Sequence, residues 1–327
     1  MARVDHAREV LAVLNGGADP ARSVVAASWR RCLTVHHLDP EDNAGPPVLT
    51  AGELAEARER IGPLVHAAEP VLDRLFQAVG ASGACVLLTD RNGVPVSRRG
   101  AAGDDDIFRR RGLWTGAVWN EASGGTNGIG TCLAEQRAMT IHRDQHFHTR
   151  NIGLSCTVAP LFDPRGRLAG ALDVSSARAD LAEGMIGLVQ GAVLDAVRRI
   201  EAQAFRMAFP DARIVLLDEG AGGSERASTP LVAVDRDDRV VGATRAARQS
   251  LQLDDEGLAR GLPASDLTDP EGVRRGSDLI EAERGALARA LARAGGNVSA
   301  AAANLGVSRA TLHRRMNRLG LARRADS

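Results

Sequence analysis

Residues 155–176, SCTVAPLFDPRGRLAGALDVSS, decide the fold. Apolar runs from Ser155 to Phe162 and from Arg167 to Ser175 flank Asp163-Pro164-Arg165-Gly166, a turn-forming sequence, so the stretch reads as a β-hairpin. The same logic holds upstream, where Ala84–Asp90 (ACVLLTD) ends in Asp90-Arg91-Asn92-Gly93 and is followed by the short run Val94–Ser97. Residues 181–207 contain no proline and place Met185, Val189, Ala192, Ala196 and Ile200 at helical spacing, so a long amphipathic helix follows the strands. Residues 53–79 read as helical with interruptions at Pro63 and Pro70. Together these make an α/β unit of sensor size over residues 66–205.

Working outward, residues 1–65 are an N-terminal helical segment, broken at Asp39-Pro40 and by the Pro/Gly stretch 43–47. Beyond the unit, Arg213–Asp218 reads as a short strand and GAGGSERAST (220–229) as a flexible connector. Residues 231–252 read as strand, Asp-rich turn, strand and helix, and 257–278 as linker. At roughly 150 residues per domain, 327 residues suggest two or three domains.

Every one of the 41 Lys-plus-Arg cations is arginine. Chemistry that needs a lysine amine is thereby excluded: a P-loop, a kinase strand lysine, a Schiff-base or pyridoxal-phosphate lysine. No apolar run approaches the roughly 18 residues that cross a bilayer, and the N-terminus lacks a signal-peptide core, so a cytoplasmic protein without membrane contact is expected. Cys32, Cys85, Cys132 and Cys156 include no C-x-x-C pair, and reduced thiols are expected. The formal net charge of zero hides a segregation: residues 281–327 hold nine Arg against three acids, a net +6, and leave −6 on the rest. A basic end on an acidic body suggests nucleic-acid contact.

Within that end, residues 279–294 form an Ala/Leu/Arg helix with Gly295 as its C-cap. Ser299 is placed to cap a short helix carrying Ala301, Ala302 and Leu305, Gly306 supplies a turn, and Ser308 caps a second helix with Leu312, Met316 and Leu319 inward. This is a helix-turn-helix for double-stranded DNA. The DNA-contact candidates are Ser308, Arg309, Thr311, His313, Arg314, Arg315 and Arg318: Arg309 for a guanine edge, Thr311 or His313 for a neighbouring base, the remaining arginines for phosphates. The run Gly296-Asn297, Ala301-Ala302, Leu305-Gly306-Val307-Ser308-Arg309, Thr311-Leu312-His313-Arg314 resembles the Fis-type helix-turn-helix of sigma-54-dependent activators, with His313 where that family usually has Tyr.

The other informative segment is Trp119–Ser176. Gly124-Gly125-Thr126-Asn127-Gly128-Ile129-Gly130 lacks G-x-G-x-x-G spacing and reads as a tight loop rimming a pocket. His142, His146 and His148 form a His-rich loop. His142 and His146 stand four apart as in a zinc-protease helix, but Arg143 occupies the place of the catalytic Glu, so no metal or other cofactor is assigned. Cys156 reads as a buried hydrophobe. The segment resembles the GAF sensor of acetoin- and glycerol-catabolism activators. Ser28-Trp29-Arg30-Arg31-Cys32 with Leu38-Asp39-Pro40 resembles their N-terminal signature. Gln145 and Ala138 depart from that family's usual acid and proline. The resemblance implies a small-molecule effector, with Trp119, Glu121, Thr126, Asn127, His142 and His146 as candidate ligand-binding residues.

The expected fold class is multi-domain, α+β followed by α: a GAF-type α/β sensor at 66–205, a short PAS-like remnant and linker at 206–278, and an all-α Fis-type helix-turn-helix at 279–327. The activators it resembles carry a central AAA+ ATPase, for which 207–278 is far too short. The expected function is a ligand-responsive, non-enzymatic DNA-binding regulator. It would act as a homodimer, with RNA polymerase or a full-length activator as possible further partners. Two alternatives are a GAF-type thiol enzyme reducing free methionine sulfoxide, and a co-regulator that heterodimerises with a full-length activator.

Overall fold

The computed structural model describes residues 2–15, 23–177, 183–217, 228–259, 262–267, 279–295 and 297–318. They form two compact units, Met1–Ala233 with Gly242–Leu253, and Val234–Val241 with Asp254–Ser327.

The first unit is built on five antiparallel strands: β1 (Ala84–Asp90), β2 (Pro95–Arg99), β3 (Met139–His142), β4 (Ser155–Phe162) and β5 (Leu168–Ser176), in the order β2-β1-β5-β4-β3. Both hairpins read from the sequence form, and they join through β1 and β5, which pair Leu87 with Asp173 and Leu88 with Leu172. β4 has a strand on each side and is buried at every residue, which is why it reads as an unbroken apolar run. β3 lies within the stretch leading into the His-rich segment and adds the edge strand beside β4.

Helices α1 (Ala2–Ala12), α2 (Val24–Thr34), α3 (Ala51–Arg60) and α4 (Gly62–Val79) precede the sheet. Short helices α5 (Asp105–Arg110), α6 (Glu121–Gly124) and α7 (Gly128–Glu135) interrupt it, and α8 (Glu183–Ala208) follows. α4 and α8 cover one face, packing Leu72, Leu75, Val193, Val197 and Ile200 on Val86, Leu88, Leu161 and Leu172. On α8 the buried face is Val189, Val193, Ala196 and Ile200, whereas Met185 is exposed. Pro70 does not interrupt its helix as expected: it sits at an exposed position inside α4, where the carbonyl left without an N–H partner can be hydrated. The other face packs Cys85, Leu87, Cys156 and Val158 under Phe108, Leu113, Trp119, Ile129 and Cys132.

The glycine-rich segment is a correction. Only residues 125–127 are a loop, with Gly125 at φ +62°; Gly124 ends α6, and Gly128 and Gly130 lie in α7. A Cβ on Gly128 would stand 2.5 Å from Cys156 Cβ, and one on Gly130 would stand 2.6 Å from the Trp119 carbonyl. These two glycines let a helix press onto the sheet and onto backbone.

A three-stranded sheet, β6 (Arg213–Leu216), β7 (Leu231–Val234) and β8 (Val240–Ala243), is followed by α9 (Arg245–Leu251). Phe205 and Phe209 pack there with Leu231 and Ala233. Most of the expected connector 220–229 lies outside the described residues.

In the second unit, α10 (Asp255–Ala259) precedes residues 262–267, where the Val240 N–H donates to Leu262 O and the Ala264 N–H to Asp238 O. Part of the expected linker is therefore folded; residues 268–278 lie outside the described residues. α11 (Leu279–Arg293), α12 (Val298–Asn304) and α13 (Arg309–Arg318) enclose Leu287, Ala290, Ala301, Ala302, Leu312 and Met316. Gly295 (φ +57°) and Gly306 (φ +65°) make the breaks expected of them. The cap of α12 is Asn297, not Ser299: its Oδ1 accepts from the Ser299 and Ala300 N–H groups. An Asx side chain one residue earlier reaches the free donors of the first turn, and the helix starts at Val298.

Candidate functional site

The helix-turn-helix presents α13. Leu312 and Met316 face inward, while Arg309, His313, Arg314 and Arg315 are exposed. Ser308 Oγ accepts from the Thr311 N–H at 3.1 Å and lies 2.8 Å from Thr311 Oγ1, so Ser308 and Thr311 close the N-terminus of α13. Arg309 is the first residue past that cap. From Arg284 to Ala325 the sequence contains no acid, so nothing along α12 or α13 repels a phosphate. Arg318 ends α13, with its side chain outside the described residues; so is Leu319.

In the sensor, the candidate residues divide. Glu121 is buried at the start of α6, where both its carboxylate oxygens are taken by Arg31 of α2: Nε donates to Oε2 and Nη2 to Oε1, each at 2.9 Å. Arg31 Nη1 also pairs with Glu135 at 2.8 Å, and these partners raise the guanidinium pKa further. Ser28 Oγ donates to Glu121 Oε1, lies 2.7 Å from Thr126 Oγ1 and 3.3 Å from Thr131 Oγ1, all four residues being buried. The Trp29 indole N–H donates to Gln145 O at 3.0 Å, and His6 Nε2 lies 2.9 Å from His146 O. The Ser28–Cys32 signature is thus a docking helix, and Glu121 and Thr126 are its seat.

Asn127 has a local task as well. Its Oδ1 accepts from the Gly130 N–H at 2.9 Å and its amide donates to Trp119 O and Gly125 O, so it starts α7 and closes the preceding loop. The Trp119 ring is buried against the sheet and its N–H donates to Gly112 O. His142, at the end of the edge strand β3, has Nδ1 2.9 Å from Ser155 Oγ of β4. His146 is fully buried, with Nδ1 2.9 Å from Arg143 O and Nε2 3.5 Å from Cys156 Sγ. Burial pushes its pKa down to about 4, so it is a neutral ring at pH 7. Among the described residues no three His, Cys, Asp or Glu side chains converge as metal ligands do.

The residue that sequence reading passed over is Asp173. It stands in β5 beside Leu87 and Val158, on the face covered by α7, and is fully buried. Ser175 Oγ donates to its Oδ2 at 2.7 Å; Oδ1 has no hydrogen-bond partner. Desolvation pushes this carboxyl up to about 7. The available signal was an acid at an inward position of an otherwise apolar strand, GALDVS. Cys85, Cys132 and Cys156 share this face, and burial raises each of their thiol pKa values. Cys32 beneath α2 is pushed up to about 11 for the same reason.

The geometry agrees with the relatives found by comparison. The GAF domain model matches residues 63–200, and the Fis-family model of bacterial regulatory proteins matches 279–319. The acetoin catabolism regulatory protein of Cupriavidus necator is 35% identical over 243 residues, covering 74% of this chain and 36% of that protein. The acetoin dehydrogenase operon transcriptional activator AcoR of Bacillus subtilis is 27% identical, covering 73% of this chain and 39% of that protein. The chain therefore spans little more than a third of the length of these relatives. In the crystal structure of the E. coli DhaR(N)-DhaL complex, a chain with 16% identity superposes with a TM-score of 0.52 over 78% of this chain and 86% of its own, a likeness of fold. Both matched domains are regulatory, one a sensor and one DNA-binding, and fewer than 80 residues separate them. The chain joins a GAF domain to a Fis-family DNA-binding helix-turn-helix, and is a relative of the acetoin-catabolism sigma-54 activator-like regulators with no ATPase domain standing between the two.

Proposed function

We propose that the chain is a transcriptional regulator whose GAF domain senses a small neutral metabolite and which acts without hydrolysing ATP. The observation that carries this is the pairing in one chain of an acid-free, arginine-faced α13 with a sensor domain whose sheet face holds a buried polar group lacking a partner. The domain limits are 1–65, 66–205, 206–278 and 279–327, the third a PAS-like remnant. Two relatives are named for acetoin, a small hydroxy ketone, which supports an effector among alcohols, diols and ketones.

Arg309 is the base-reading residue, Thr311 and His313 flank it, and Arg314, Arg315 and Arg318 hold phosphates, with Ser308 setting the helix start. Two such units reading half-sites ~34 Å apart require a homodimer. Genome-wide occupancy tests the reading: binding should centre on palindromic sites upstream of operons for small oxygenated metabolites. Uniform occupancy without a site would sink it, and so would robust ATP turnover by the pure protein. Arg309→Ala should relax preference at one base of each half-site, whereas Arg318→Ala should weaken all DNA about equally and flatten the salt dependence.

A second reading, a co-regulator that heterodimerises with a full-length activator, is favoured by the short interval between the two domains. A mixed species on sizing the two proteins together would support it. The thiol-enzyme reading loses support from the buried, high-pKa cysteines, since reduction of a sulfoxide needs an accessible thiolate.

A further inference from the structure

Four chain segments meet at one end of the sensor sheet. β1 and β5 run antiparallel with Asp90 beside Gly170, so the β1–β2 turn and the β4–β5 turn project from the same end. α4 starts there and α8 finishes there, on the side of the sheet that these two helices cover. Between the helix ends and the turns a cleft of about 700 Å³ opens, a size that small ligands occupy. Its wall is apolar: Leu64 of α4, Leu168 of β5, Ala204 and Met207 of α8, and Phe209 just beyond. Met207 is 42% exposed, although its side chain is apolar. The mouth carries three arginines, Arg60, Arg91 and Arg165, against two aspartates. Both acids serve their own turns: Asp90 Oδ1 accepts from the Asn92 and Val94 N–H groups, and Asp163 Oδ1 from those of Arg165 and Arg167. Asp90 Oδ2 also holds Arg60, at 3.4 Å. Among the described residues, the exposed Arg91 and Arg165 side chains have no partner.

We infer that this cleft binds an amphipathic carboxylate, its hydrocarbon tail along Leu64, Leu168 and Met207 and its head on Arg91 and Arg165. A guanidinium fork matches a carboxylate in shape as well as in charge. Exposed arginines alone hold an anion weakly, and burial of the tail supplies the remainder. A small polar anion finds the arginines but leaves the apolar wall wet. An alcohol with the same tail gains no charge-assisted bond, and a cation meets the wrong charge. The cleft is lined from α4, α8 and the two turns rather than from α7, and its ligand differs in class from the neutral metabolite proposed above, so the inference goes beyond that reading. The tail also reaches Phe209, whose ring lies 4.9 Å from that of Phe205 and packs on Gly242 of β8, where a Cβ would collide with it. Occupancy of the cleft is therefore felt in the three-stranded sheet.

The test uses the full chain and four probes: octanoate, octanol, octylammonium and acetate, each below its micellar or solubility limit. Calorimetry should show saturable binding of octanoate, and binding at least about tenfold weaker for the other three. The double variant Arg91→Ala, Arg165→Ala should weaken octanoate by about tenfold or more and leave octanol as it was in the parent. Met207→Asp, which puts a carboxylate on the apolar wall, should weaken octanoate by about tenfold or more as well. All three positions are exposed, so the variants should unfold at the temperature of the parent. Octanoate bound equally by the parent, the double variant and Met207→Asp overturns the site. Octanol or octylammonium bound as tightly as octanoate overturns the carboxylate chemistry, and acetate bound as tightly overturns the role of the tail. Absence of octanoate binding by the parent overturns the inference outright and leaves the DNA-binding and neutral-effector readings untouched.

Discussion

Two buried carboxylates in one domain have opposite surroundings. Glu121 has both oxygens engaged by a bidentate guanidinium and a hydroxyl, and its partners Ser28 and Arg31 lie on a helix about 90 residues away. Asp173 has one serine on one oxygen and nothing on the other. A low-dielectric interior makes the first arrangement a specific clasp and the second an unmet demand. The difference separates roles that residue type alone does not: the satisfied acid positions α2 against α6 and α7, and the unsatisfied one leaves an oxygen that the fold itself does not use.

The comparison breaks first at Arg31. Arg31→Ala strands the Glu121 carboxylate without its cation, and with Arg31 about one-third exposed the loss should be about 2–3 kcal/mol, less than for a fully buried pair. Denaturant unfolding measures it, and limited proteolysis should cut nearer α2 in the variant. Unchanged stability and cleavage would mean that the clasp does not hold the N-terminal segment.

Asp173 should behave in the opposite sense. Asp173→Asn should raise stability above pH 7 by about 1–2 kcal/mol, because an ionised carboxylate with a vacant oxygen is disfavoured in the core. The gain depends on pH in a definite direction. The folded-state carboxyl titrates near 7 against an ordinary 3.8, so its penalty is absent below the ordinary value and grows as pH rises through the folded one. The stability gap between Asp173→Asn and the parent should therefore be smallest near pH 4 and level off above pH 7. Glu201 is also pushed up to about 7, and His146 is held down to about 4 with the opposite slope, but both are common to the two proteins and cancel in the difference. A gap that does not change with pH would show that the folded Asp173 carboxyl titrates at its ordinary value, and a gap that goes on widening well above pH 7 would show that it stays neutral in the folded protein.

The same contrast explains what the sequence made legible. The two hairpins declare themselves because β1, β4 and β5 sit inside the sheet and read as continuous apolar runs around strong turns. The helix-turn-helix is legible because its caps and turn glycines act within a few residues, although Asn297 and Ser299 compete for one cap and only the backbone decides. Glu121 and Thr126 stood out as polar, but what occupies them comes from residue 28 and residue 31, a pairing that no local pattern carries. The glycine run suggested a loop because glycine disfavours helices, whereas Gly128 and Gly130 are there for what presses on them. Asp173 escaped notice because a single acid in an apolar strand says nothing about whether it is paired.

The smallest expected effect is at Ser28, and it tests how the clasp divides its load. Ser28 is fully buried and its hydroxyl meets Glu121, Thr126 and Thr131, so Ser28→Ala removes one donor and leaves the two threonine hydroxyls one neighbour fewer. The Arg31 pairing with Glu121 remains, so the loss should be about 1 kcal/mol by chemical denaturation. The combined Ser28→Ala, Arg31→Ala protein should lose less than the sum of the two. Once the cation is gone Glu121 is already stranded, and the serine then steadies a carboxylate that is turning to solvent or taking a proton. Simple additivity would mean that Ser28 and Arg31 act on Glu121 independently, and that the clasp is two separate contacts rather than one network.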